Sequence, residues 1–216
     1  MSDNVLGLDL SRYREGVPLK TAKQQGVRFI LTKCSEGTAY TDPEYFRYQA
    51  DSAAKGLPFG GFLYWRFIFE AVAQAKYYCS KLLEHGAVQF PPIVDVERLY
   101  NVKEGTTDQV LVSVQANRNH LQIVLNVIEE ELGVKPMIYT NYESWRVLMG
   151  NWDIWDEYEL WVANWRTIGA PLLPLPAKAW KVHQWTNAYK VEGYTRGLDA
   201  DWYNGNEGDF EIQLIE

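Results

Sequence analysis

Pro91-Pro92-Ile93-Val94-Asp95-Val96-Glu97 sets two carboxylates into an otherwise apolar run. Side chains alternate faces along a strand, so Ile93, Asp95 and Glu97 share one face and Val94 and Val96 the other. The acids fall at the C-terminal end. Residues two apart on one face stand roughly 6.6 to 7 Å apart at Cβ, near enough for two like charges to disfavour joint ionisation and raise one pKa. One acid can then donate a proton while its neighbour stays anionic. Branched apolar residues on both faces indicate a parallel sheet covered by helices, and in (β/α) barrels the C-terminal strand ends carry the chemistry. An edge strand ending in two solvated acids is the alternative reading of this segment alone.

Upstream, Val5 to Leu10 reads as a first strand with Asp9 at its C-terminal end, followed by a helix over Leu19 to Gln25 that Gly26 closes. Val27 to Lys33 is a second strand, with Ser35-Glu36-Gly37 as its loop. Asp42-Pro43 starts a helix that runs to Lys55. Phe59 to Trp65 is a third strand and Glu70 to Leu83 a helix. Downstream of Glu97, the apolar spacing of Val110, Val114, Leu121, Leu125 and Ile128 predicts one long helix over Thr106 to Leu132. A strand over Met137 to Thr140 and a helix over Glu143 to Met149 complete the alternation.

Beyond this point Leu160 to Trp165, Trp180 to Trp185 and the region before Asp199 read as strands joined by Pro- and Gly-rich connections rather than helices. Five βα units and three further strands is the resulting count, an α/β fold of (β/α)5(β)3 TIM-like barrel type. Lys181 and His183 are expected on a polar outer face of the uncovered strands. Closing the last strand beside the first brings Asp9, Asp95, Glu97 and Asp199 into one ring. Such a cluster suits general acid/base work on a glycosidic bond, where carboxyl groups divide protonation from charge stabilisation. It would also suit Mg²⁺ or Ca²⁺, but 9 Trp and 14 Tyr favour a sugar.

The 216 residues fit one domain, expected to span 1–216 with no separate wall-binding module. A net charge of −7 argues against nucleic acid or an anionic membrane as partner. Cys34 and Cys79 form no disulfide framework or metal spacing and are expected as buried thiols. His85, His120 and His183 lie away from the strand ends and are expected at the surface or at caps, so neither a zinc site nor a His-based triad is expected. The start of the chain lacks a signal peptide pattern, and synthesis in the cytoplasm with release by lysis is the expectation.

Gly7-Leu8-Asp9-Leu10-Ser11, Lys33-Cys34-Ser35-Glu36-Gly37, Ile93-Val94-Asp95-Val96-Glu97, Pro136-Met137-Ile138-Tyr139-Thr140, Leu160-Trp161-Val162-Ala163, Gln184-Trp185 and Leu198-Asp199-Ala200-Asp201 occur in that order. Together they resemble the catalytic domain of glycoside hydrolase family 25, muramidases that cleave the β-1,4 bond between N-acetylmuramic acid and N-acetylglucosamine in peptidoglycan. The resemblance implies a single flattened barrel, no cofactor, bacterial peptidoglycan as partner, a monomer, and a setting such as phage lysis. It further implies Glu97 as proton donor and then base, with Asp95 orienting the substrate's own acetamido group in a retaining reaction. Asp9 and Asp199 would line the subsite of the cleaved sugar, and Glu36, Tyr139, Trp161 and Gln184 would shape the pocket. Tyr64 and Trp65 stand where the family usually has a tyrosine-histidine-aromatic run, and both are candidates to stack on sugar. Asp199-Ala200-Asp201 replaces the common Asp-x-Asn. A non-catalytic glycan-binding barrel and a chitin-type glycosidase are the alternatives.

Overall fold

Strand β1 (Val5–Leu10) pairs in parallel with β2 (Val27–Glu36), and the parallel order continues through β4 (Phe59–Tyr64), β5 (Ile93–Asp95), β6 (Met137–Asn141), β7 (Leu160–Ala163) and β8 (Val182–Tyr189). The last strand, β9 (Leu198–Tyr203), runs antiparallel to both β8 and β1 and closes the ring of eight. A two-residue strand, β3 (Tyr40–Thr41), hangs from the end of β2 outside the ring. This computed structural model describes residues 4–86, 88–97, 113–165 and 169–212.

Alternation along the strands sorts the core into two layers. Phe29, Leu31, Phe62, Ile93, Met137, Trp161 and Val182 fill the barrel. Leu8, Ile30, Leu63, Val94, Val96 and Ile138 face outward against the helices. The covering helices are α1 (Leu19–Gln24), α2 (Tyr45–Ala54), α3 (Ala71–Leu82), α4 (Val114–Leu132) and α5 (Tyr142–Leu148), with α6 (Glu207–Ile212) after β9. Each large apolar side chain taken out of water contributes about 1.5–3 kcal/mol, so the two layers together outweigh any single loop contact. The five βα units and three further strands read from the sequence are present.

Local boundaries differ where tertiary partners intervene. β2 runs on to Glu36 because Ser35 and Glu36 find antiparallel partners in Thr41 and Tyr40, with Gly37 at φ 59° making the turn. α4 begins at Val114, not at Thr106, because Ser113 is extended and its side chain caps the Ala116 N–H at 3.1 Å. Residues 106–112, including Val110, lie outside the described residues. The helix ends at Gly133, whose φ of 70° is the left-handed C-cap expected of glycine.

His183 corrects the expectation of an open polar face. It is buried, with Nε2 3.0 Å from the Asn164 carbonyl and its ring edge-on to Trp180. Leu173, Ala177 and Trp180 from the β7–β8 connection pack on Leu160 and Val162, so an irregular segment does here what helices do elsewhere. His120 is likewise half-buried, bonding Trp65 and the Phe69 carbonyl. Cys34 and Cys79 are both free and buried.

Candidate active site

Asp9 and Gly7 share the inward face of β1. A Cβ on Gly7 would meet the Phe29 ring at 2.1 Å, so glycine there lets that ring form the floor beneath Asp9. Asp95 ends β5. The backbone beyond it is pinned: Val96 N–H donates to the Tyr139 carbonyl at 2.8 Å, and the Thr140 hydroxyl donates to the Val96 carbonyl at 2.8 Å. Glu97 therefore keeps a fixed position although regular pairing has stopped. Asp199 sits at the start of β9 rather than at a strand end. Because β9 is antiparallel, its start lies at the same rim as the C-terminal ends of the others, and Asp199 pairs directly opposite Asp9.

These four acids line one cleft of about 770 Å³ together with Tyr64, Tyr139, Trp161 and Gln184. Gln184 Nε2 donates to Asp9 Oδ2 at 2.9 Å, and its Oε1 accepts from Trp165 Nε1 at 2.7 Å. The Tyr139 hydroxyl lies within reach of both Gln184 Oε1, at 3.1 Å, and Glu97. Trp161, edge-on to Tyr139, donates to Asp201 Oδ1 at 2.8 Å in the interior.

Burial dominates the electrostatics. It raises Asp9 well above the ordinary carboxylate range, and Asp201, Asp199 and Glu97 push it further while Gln184 pulls it back. Burial likewise raises Asp95, reinforced by Glu97 and Asp9 and opposed by Lys33. Glu97 is raised by burial and by Asp199, against the hydrogen bond from Tyr139. Asp95 and Glu97 bear on each other's titration, and two like charges so close favour a state with one of them protonated and the other anionic. Asp95 is the buried member and Glu97 the partly exposed one. Asp201, fully buried, is pushed up to about 8 by burial and then by Asp199, against the Trp161 N–H.

Two sequence candidates stand elsewhere. Trp65 is fully buried on the outward face of the β4 line and donates Nε1 to His120 Nδ1 at 3.0 Å. Alternation explains this: Phe62 and Tyr64 face the cleft, so Leu63 and Trp65 face the helices. Trp65 is thus not a sugar platform. Glu36 does not line the cleft; it pairs with Lys33 and Arg66, both at close range. Burial pushes its carboxyl up, but those two cations outweigh it and bring it below its ordinary value. Its part in the site is to anchor Lys33.

Other lining residues were absent from the sequence reading. Lys33 follows Phe29 and Leu31 on the inward face of β2, a period-2 signal that could have found it. Tyr13 and Arg14 come from a single helical turn after β1, Asn141 from the end of β6, and Trp165 from beyond β7. Asn141 continues the inward alternation of Met137 and Tyr139, and Trp165 that of Trp161 and Ala163, so period 2 could have found both; Tyr13 and Arg14, outside any strand, carry no such signal.

The sequence model of glycosyl hydrolases family 25 matches residues 8–194. Lysozyme M1 of Streptomyces globisporus is 23% identical over 95% of this chain and 69% of its own. The N,O-diacetylmuramidase of Arthroderma benhamiae is 24% identical over 94% of this chain and 83% of its own. The structure of a family 25 lysozyme from Aspergillus fumigatus superposes with a TM-score of 0.85 at 25% identity, covering 99% of this chain and 100% of that one. A closed barrel with acids gathered at one rim and a family match over most of its length make this chain a glycoside hydrolase, and it belongs to glycosyl hydrolases family 25.

Proposed function

We propose that the protein is an N-acetylmuramidase, a lysozyme that cleaves the β-1,4 bond between N-acetylmuramic acid and N-acetylglucosamine in peptidoglycan. The carrying observation is the Asp95–Glu97 pair, two neighbouring carboxyls raised by burial in the lining of a cleft of about 770 Å³. Glu97, the more exposed member, delivers the proton to the glycosidic oxygen as the C1–O bond breaks. Asp95 Oδ1 is buried without a partner, which leaves it to accept from the acetamido N–H of the cleaved sugar. The acetamido carbonyl oxygen then attacks C1 and closes a five-membered ring. Glu97, now a carboxylate, takes a proton from water as that water opens the ring, and two displacements at C1 leave its configuration retained.

Digestion of purified peptidoglycan by the wild type and by Glu97→Gln, with mass spectrometry of the reducing ends, tests this reading. Fragments ending in N-acetylmuramic acid from the wild type alone are expected. Fragments ending in N-acetylglucosamine would point to a different cleavage site, and binding without release by either protein would leave a glycan-binding barrel. Proton NMR of the first product separates retention from inversion.

A further inference from the structure

Two cationic side chains, Arg14 and Lys33, line a cleft otherwise rich in carboxylates. Lys33 is committed, with Nζ 2.6 Å from Glu36 and 4.3 Å over the Tyr64 ring. Arg14 is not. Among the described residues it forms no ion pair; Nη1 reaches only the adjacent Tyr13 carbonyl at 3.3 Å, and the buried Nε has no partner. Its backbone, by contrast, is held at both ends, the N–H donating to the Ser11 carbonyl at 2.8 Å and the carbonyl accepting from the Tyr48 hydroxyl. The guanidinium therefore projects from a fixed base with donors to spare.

Its place is informative. Arg14 is close enough to Asp199 to oppose the rise that burial imposes on that carboxyl, and Asp199 pairs opposite Asp9 in the wall over which the cleaved sugar must lie. A planar fork of N–H donors matches a carboxylate in two parallel bonds. The four acids that line the cleft disfavour free anions, so the carboxylate it meets is one that the polymer itself carries. We propose that Arg14 determines specificity by binding a carboxylate on the sugar being cleaved, either on its lactyl ether or on the peptide attached there. This rests on the muramidase reading, and it gives that reading a physical basis for excluding chitin, which has no carboxylate.

The test uses soluble glycan strands in two forms, one with stem peptides and one stripped to the free lactyl group by an amidase, each also with its carboxyls converted to neutral amides. For the wild type, kcat/KM should be about tenfold higher on at least one charged form than on its neutralised counterpart, the value of a good charge-assisted bond. The form showing the difference names the source. Arg14→Gln should bring that ratio close to one, chiefly through KM, and Arg14→Lys should leave it intermediate. Equal losses by Arg14→Gln on charged and neutral strands would overturn the proposal, because they would place its effect in Asp199. So would a wild type that cleaves all strands equally. A wild type that cleaves none removes the muramidase reading and the proposal with it.

Discussion

Gln184 donates its amide nitrogen to Asp9 Oδ2 at 2.9 Å, joining β8 to β1 across the intervening strand β9. The orientation of that amide is determined, because Trp165 Nε1 can only donate and lies 2.7 Å from Oε1. Nitrogen must therefore face Asp9.

Replacing Gln184 by Glu turns this donor into a second carboxylate against Asp9. The two oxygens cannot approach unless one is protonated, so activity should fall by about 10- to 100-fold at neutral pH and recover partly in acid, where the new O–H donates as the amide did. A pH–rate profile of peptidoglycan clearance checks this. A loss that is uniform with pH would assign Gln184 a packing role.

Asp201 couples the interior to stability. Its folded value of about 8 lies above the ordinary 3.8, so folding takes up a proton there. That contribution is full below about pH 4 and lost as pH rises toward 8. Asp201→Asn keeps the Trp161 bond and needs no proton. Its stability relative to wild type should improve by about 2 to 4 kcal/mol between pH 4 and pH 7, read by urea denaturation at both. An unchanged difference would show that Asp201 is ionised in the folded protein.

Lys33 opposes the rise of both Asp95 and Glu97. Lys33→Met should move the alkaline limb of the pH–rate profile, where the protonated member of the pair ionises, to higher pH. The direction follows from removing a positive charge near an acid. A limb that stays in place, or moves toward acid, would contradict the assignment of that limb to the pair.

Trp65→Phe should lower stability by about 1–2 kcal/mol through the lost bond to His120, while kcat/KM on the polymer stays within about twofold, since a surface away from substrate contributes no binding. Thermal melting and kinetics on one preparation decide it. A rise in KM with unchanged melting would restore Trp65 as a sugar contact.

What the chain determined by itself is the local part. Alternation in Ile93 to Glu97 put both acids on one face, and the same rule applied along Phe62-Leu63-Tyr64-Trp65 separates Tyr64 from Trp65, which the motif resemblance alone had grouped together. Glycine and capping signals located most helix ends, and the order of strands and helices implied the barrel. These depend on neighbours within a few residues, which the covalent chain holds close. Only the closed barrel decided the rest: that β9 runs antiparallel and so delivers Asp199 from a strand start, that a loop covers His183, that Arg66 pairs with Glu36, and that Arg14 reaches the cleft. Those groups meet across 19 to 190 positions of sequence, and their contacts arise from strand register and ring closure, which no periodicity in the sequence encodes.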